Sequence, residues 1–196
     1  MKDSIVAALR MSAGSLFLLA LVAAHVRGQT FTTLASFNGS NGKSPCGTLT
    51  LSGNTLYGTT YEGGAYSSGT VFSVHITGGS PTVLASLNHS SGDYPRGGLT
   101  LIGNTLYGTT SQGGNLSLYS DYGAVFSVPI TGGSPTVLAS FNGTNGYSPQ
   151  DGLTLIGNNL YGTTTVGGNL SLDSGYGYGT VFSIPLSAMP LRILER

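Results

Sequence analysis

The chain has 196 residues, a formal net charge of zero and only 7% charged residues, against roughly 25% in an ordinary soluble domain. That balance supplies no basic stripe or Arg cluster for a phosphate backbone, which excludes an electrostatically driven nucleic-acid binder. Gly occupies 32 positions, and the 39% of residues that are hydrophobic fall in regular runs, which argues against disorder and for an all-β protein with many tight turns.

The first element in chain order is not part of the fold. Lys2 and Arg10 bracket a positive start, and an apolar run follows from Gly14 to Ala24. This run is too short for a bilayer span, which takes about 20 residues. Small residues at Val22 and Ala24, or Val26 and Gly28, suit cleavage. Residues 1–28 therefore read as a secretory signal peptide, with an uncleaved N-terminal anchor as the alternative. The rest carries four basic and six acidic side chains and one cysteine, Cys46, so no internal disulfide can form. The expected location is secreted, extracellular or in the cell envelope, with no membrane span in the mature chain.

From residue 29 the chain repeats itself. LYGTT starts at Leu56, Leu106 and Leu160, and each copy is followed by a glycine pair, Gly63-Gly64, Gly113-Gly114 and Gly167-Gly168. The longer unit runs LASFNGSNGKSP, GTLTLSGNTLYGTT, GTVFSVHITGGSPTV, and returns twice with few changes. In the second copy, strands are predicted over Leu99–Ile102, Thr105–Thr110, Ala124–Ile130 and Thr136–Phe141. Gly103-Asn104 suits a two-residue type II′ hairpin turn, and a Gly132-Gly133-Ser134-Pro135 turn joins the last two runs. In the third run Phe126, Val128 and Ile130 share one face and Val125, Ser127 and Pro129 the other. Gly108 leaves room beside its strand for a ring or another backbone.

Antiparallel four-stranded units of about 50 residues are the signature of β-propeller blades, which recur because neighbours must cover each other's faces. The predicted fold is all-β and β-propeller-like, with three blades, partial or completed by assembly; the alternative is a β-trefoil-like barrel. The repeats span about 34–83, 84–137 and 138–186 within residues 29–190, and 191–196 form a tail. The last copy lacks a PTVLASF segment, and residues 30–38, with TTLASF, supply a match that would complete it. A free half-ring is expected to expose edge strands and to self-associate.

These residues also carry a resemblance. The order LYGTT, GG, GTVFS and L-x-SF, over roughly residues 30–186, resembles the GloVer tandem repeat of Gloeobacter/Verrucomicrobia type. That family occurs in bacterial secreted or surface proteins often described as choice-of-anchor proteins. The resemblance implies tandem β repeats and export, often with a C-terminal sorting signal, which the ending SAMPLRILER does not match. It carries no catalytic assignment.

Candidates for chemistry are sparse. His75 stands where sister copies have Pro129 and Pro185, and His89 replaces Gly39 and Gly143 in a loop; both read as surface residues. Glu62, Asp93, Asp121, Asp151 and Asp173 form no close sequence pair of the kind glycoside hydrolysis needs, which makes a hydrolase the least favoured reading. Asp121 and Asp173 sit in comparable loops and are weak Ca²⁺ candidates, with turn chemistry as the alternative. No other metal and no cofactor is expected. Sequons at Asn38, Asn88, Asn115, Asn142 and Asn169 read as by-products of Ser/Asn-rich turns. The loops before the third strands hold Tyr61 and Tyr66, Tyr119 and Tyr122, Tyr176 and Tyr178. Exposed Tyr among Gly, Ser and Asn makes a binding surface at low entropic cost; the alternative is packing between repeats. The expected function is a non-enzymatic binding scaffold for a protein or polysaccharide at the cell surface, or a carbohydrate-binding module using the Tyr loops.

Overall fold

The computed structural model describes residues 30–114 and 121–186. The leader, Asn115, Tyr119 and the tail over 191–196 lie outside them. Thr33–Arg196 forms one compact unit, described here by itself.

Three antiparallel sheets follow one another along the chain. The first contains β1 (Lys43–Ser52), β2 (Thr55–Glu62), β3 (Thr70–His75) and β4 (Thr82–Ser86), paired in that order. The second repeats the meander with β5 (Thr100–Ile102), β6 (Thr105–Thr110), β7 (Ala124–Pro129) and β8 (Thr136–Ser140). The third has β9 (Thr154–Ile156), β10 (Asn159–Thr164) and β11 (Thr180–Pro185), with β10 in the middle. The sheets are separate among the described residues, so the alternative of a closed trefoil barrel is set aside. The short hairpins behave as their sequence predicts: Ile102 pairs with Thr105 across Gly103-Asn104, and Gly103 takes φ 57° while Asn104 stays out of the positive region, as a II′ turn requires.

The repeated letters have separate jobs. A Cβ on Gly58, Gly108 or Gly162 would meet the ring of Phe72, Phe126 or Phe182 at 2.7, 2.8 and 2.5 Å. The glycine therefore clears the seat of the third-strand Phe within its own sheet. The second threonine pins that same strand: Thr110 Oγ1 accepts from Ala124 N at 3.1 Å, and Thr60 and Thr164 do so from Thr70 N and Thr180 N at 3.1 and 3.0 Å. The first threonine reaches the next repeat: Thr59 Oγ1 donates to Gly97 O at 3.2 Å and Thr109 Oγ1 to Asp151 O at 2.9 Å. Thr50 and Thr100 likewise donate to Leu99 O and Leu153 O.

This stacking alters one reading of the pattern. Val125 falls on the face expected to be the less apolar, yet Val71 and Val125 are both fully buried. Val71 packs with Leu99, Leu106 and Phe126 of the second sheet, and Val125 with Leu153 and Leu160 of the third. Both faces of a third strand are thus apolar wherever another sheet follows.

The fourth strands carry a bulge. Val71 pairs with Ala85 and Phe72 with Val83, so Leu84 has no opposite residue, and Leu138 is its counterpart. The freed Leu84 carbonyl accepts from Gly133 N of the next repeat at 3.0 Å, as a bulge re-aims backbone groups. Residues 34–37 make the same contacts with the first sheet: Leu34 O accepts from Gly79 N at 2.9 Å. The Phe37 and Phe72 rings meet edge to face at 4.9 Å, as Phe141 and Phe182 do at 5.0 Å. The segment foreseen as completing the last repeat therefore lies on the first sheet here, and the third sheet has three described strands.

Candidate functional site

The loop between repeats begins with Asn and ends with Gly. Asn38 Oδ1 accepts from Ser40 Oγ at 2.9 Å and Asn41 N at 3.0 Å; Asn88 and Asn142 do the same with Ser90 and Ser91, and with Thr144 and Asn145. The sequon hydroxyls at these positions are tied into turns. The carbonyls of Gly39, His89 and Gly143 then accept from Gly64, Gly114 and Gly168 N at 2.8–2.9 Å. The glycine pair after each LYGTT is therefore a latch on the inter-repeat loop. Each first glycine of the pair would drive a Cβ to within 2.7 Å of that loop's carbonyl.

Upon this uniform frame the copies differ in a few side chains, and these form three clusters. In the first, Tyr61 at the end of β2 stacks on Tyr94, with centroids 4.9 Å apart and planes at 29°. Arg96 covers Tyr61, its Cζ 4.6 Å from the ring centroid, and donates from Nη2 to the Tyr61 hydroxyl at 3.2 Å. Arg96 remains exposed while both rings are half-buried, so the assembly presents a cation laid on an aromatic stack.

In the second cluster Tyr122 and Tyr147 meet edge to face at 5.2 Å. With Tyr176, Leu170, Gly143 and Gly175 they line a cleft of about 110 Å³. Gly143 takes φ 86°, a left-handed conformation that favours glycine, and a Cβ on it would meet the Tyr122 ring only at ordinary contact distance, 3.5 Å.

The third cluster belongs to the middle repeat alone. His89 Nδ1 lies 2.9 Å from Asp93 Oδ2, and His89 Nε2 lies 3.3 Å from Asp121 Oδ1. Asp93 is buried, and its Oδ1 has no hydrogen-bond partner. The hydrogen bond to Asp93 raises the His89 pKa above its ordinary value against the opposing effect of desolvation, with the Asp121 and Asp93 charges adding to the rise. The two carboxylates address opposite nitrogens of one imidazole and so do not converge on a common point. Among the described residues no three His, Cys, Asp or Glu side chains are placed to hold a metal.

Among the residues expected to bind, the structure unites Tyr122 with Tyr176 and leaves Tyr61 in a separate cluster. Tyr66 lies exposed beside Ser86, Asn88 and Pro135 along an open groove, and Tyr178 is exposed. Asp121 is engaged by His89, while Asp173 opens a short 3-10 turn, Asp173–Gly175. Tyr94, Arg96, Tyr147, Leu170 and Asp93 were not foreseen. For Tyr94, Arg96, Tyr147 and Asp93 the available signal was departure from the sister copies: Tyr94 stands where Ser44 and Ser148 do, and Tyr147 where Lys43 and Asp93 do; Leu170 recurs as Leu116 and carried no such signal. Cys46 donates its thiol to Pro95 O at 3.0 Å, and burial pushes its pKa up, which suits a packed thiol rather than a nucleophile.

The molecule is thus, by class, a tandem-repeat all-β protein whose recurring residues build the frame and whose differing residues gather in the loops. A family model described as the Gloeobacter/Verrucomicrobia repeat matches residues 12–182, and the chain belongs to that family. No curated protein matches the chain. No helix among the described residues is long and apolar enough to cross a membrane.

Proposed function

We propose that this protein is an exported, non-enzymatic binding scaffold, a β-propeller-like stack that displays aromatic loops to a protein or polysaccharide at the bacterial cell surface. The supporting observation is the division of labour along the repeat. The letters that recur are consumed by packing and latching, as with Thr59 and Thr109. The letters that change supply the half-buried Tyr61–Tyr94 stack under an exposed Arg96, and the Tyr-lined cleft. Export rests on the basic start and apolar run before residue 28. Pull-down with cell-wall material and with secreted proteins tests the scaffold. Tyr61→Ala with Tyr94→Ala should abolish capture while leaving the melting temperature within a few degrees. Turnover of a substrate that survives purification to homogeneity overturns it.

The cleft at Tyr122, Tyr147 and Tyr176 favours a second, narrower reading, in which one sugar residue stacks there. A glycan array probed with the protein and with Tyr176→Ala checks it. Binding to a glycan that Tyr176→Ala loses supports the reading, and an array with no signal removes it.

A further inference from the structure

Among the described residues the third sheet ends in an open face and an open edge, and the first sheet is preceded by a segment, residues 33–36, that pairs with no strand. In the first two repeats the third strand is completed by the TVLAS strand: Thr70 pairs with Ser86 and Val71 with Ala85, and Ala124 pairs with Ser140 and Val125 with Ala139. Among the described residues strand β11 pairs with β10 on one side only, and Val181, the counterpart of Val71 and Val125, is 80% exposed against 0% for those two. Thr154 and Thr163 are exposed as well, whereas their counterparts Thr50, Thr100, Thr59 and Thr109 bond the following repeat.

The complementary surface is on the other end of the same unit. Leu34, Ala35 and Ser36 repeat the LAS of β4 and β8, and they already sit on the first sheet as β4 sits on the second, through Leu34 O and Phe37. Leu49 is 48% exposed, whereas its counterparts Leu99 and Leu153, covered by a preceding sheet, are 6% and 7% exposed. The two uncovered surfaces are the two halves of an interface that the chain makes twice internally.

We propose that the open face and edge of the third sheet are the docking site for the N-terminal end of a second copy of this chain. Residues 33–36 of that copy join β11 as the missing fourth strand, with Ala35 opposite Val181 and Ser36 opposite Thr180. Its Leu49 covers Val181. The internal boundaries supply the remaining bonds by analogy. Leu87 N and Phe141 N donate to Gly69 O and Gly123 O at 2.9 Å, and Tyr94 N and Ser148 N donate to Ser68 O and Tyr122 O at 2.9 and 3.0 Å. The counterparts across the new contact are Phe37 N to Gly179 O and Ser44 N to Tyr178 O. Strand addition satisfies an edge that otherwise templates indiscriminate pairing. The contact is head to tail, so each added copy presents its own third sheet.

Sedimentation equilibrium of the full chain, with Val181→Glu and Leu49→Glu, tests the contact. Both substitutions fall on exposed positions and should leave the circular dichroism spectrum unchanged. The unsubstituted chain is expected at twice the chain mass or a higher multiple, and each variant alone at the chain mass. An equimolar mixture of the two variants should return a species of twice the chain mass, because each retains the surface that the other lacks. A monomeric unsubstituted chain at all concentrations overturns the proposal, as it would if residues 187–196 covered the face in cis. So does association that survives either substitution, or variants that stay monomeric when mixed.

Discussion

At the scale of single residues, one pair of threonines separates packing within a repeat from packing between repeats. Thr109 Oγ1 donates to Asp151 O across a boundary, while Thr163, the same letter one repeat later, is exposed. Thr109→Val keeps the β-branched shape and removes the donor, and should cost about 1–3 kcal/mol. In the Val181→Glu background, which is expected to remain a single chain, Thr163→Val should stay within about 0.5 kcal/mol. Urea unfolding of both variants decides the matter, and equal losses would show that the threonine recurs for some other reason. His89 offers a second residue-scale test. Its folded pKa is raised, chiefly by the hydrogen bond to Asp93. Its stabilising contribution is therefore complete below about pH 6.5, the ordinary value, and fades as pH climbs through the raised one. With the ring half exposed, solvent screening holds that contribution under about 1 kcal/mol. The melting temperature of the native chain minus that of His89→Gln should fall between about pH 6 and pH 8. A flat difference would mean that the Asp–His–Asp contact is not maintained in solution.

At the scale of the strand, the glycine of LYGTT and the phenylalanine opposite it form one packing unit. Gly108 has no left-handed φ, so Gly108→Ala is opposed by its neighbours rather than by its backbone, with Phe126 Cζ at 2.8 Å and Leu99 Cδ2 at 2.9 Å from the new methyl. Overpacking of this kind costs about 1–3 kcal/mol. Phe126→Leu shortens the obstacle, so the double variant should lose less than the two single losses combined. Denaturation of all four proteins measures that coupling, and strict additivity would place the clash elsewhere. Much of this element was readable beforehand because it is local: the Gly103-Asn104 turn, the hairpin it joins and the room at Gly108 follow from neighbouring letters. The burial of Val125 was not, since alternation describes one sheet and a following sheet covers the second face. The tyrosine clusters escaped for the same reason. Tyr61 meets Tyr94, and Tyr122 meets Tyr147, only across a repeat boundary whose geometry the letters do not state.

At the scale of the whole molecule, stability is a chain of nearest-neighbour boundaries, as in other stacked repeats. The middle sheet is covered on both sides, and Leu106, Val125, Phe126 and Val128 are fully buried. In the third sheet Phe182 and Ile184 are only partly buried and Val181 is exposed. A unit that gains burial on one side should open at a lower free energy than one covered on both. Amide hydrogen exchange on Val181→Glu, which is expected to remain a single chain, should therefore show β9–β11 exchanging before β5–β8, with the loop at Asn142–Gly146 marking the change. In the unsubstituted chain, at a concentration where copies associate, protection of β10 and β11 should rise toward that of β6 and β7, since a fourth strand and a covering sheet restore the missing half-interface. Equal exchange of the two sheets in the variant would contradict nearest-neighbour stability. Unaltered protection of β11 upon association would place the contact on another surface.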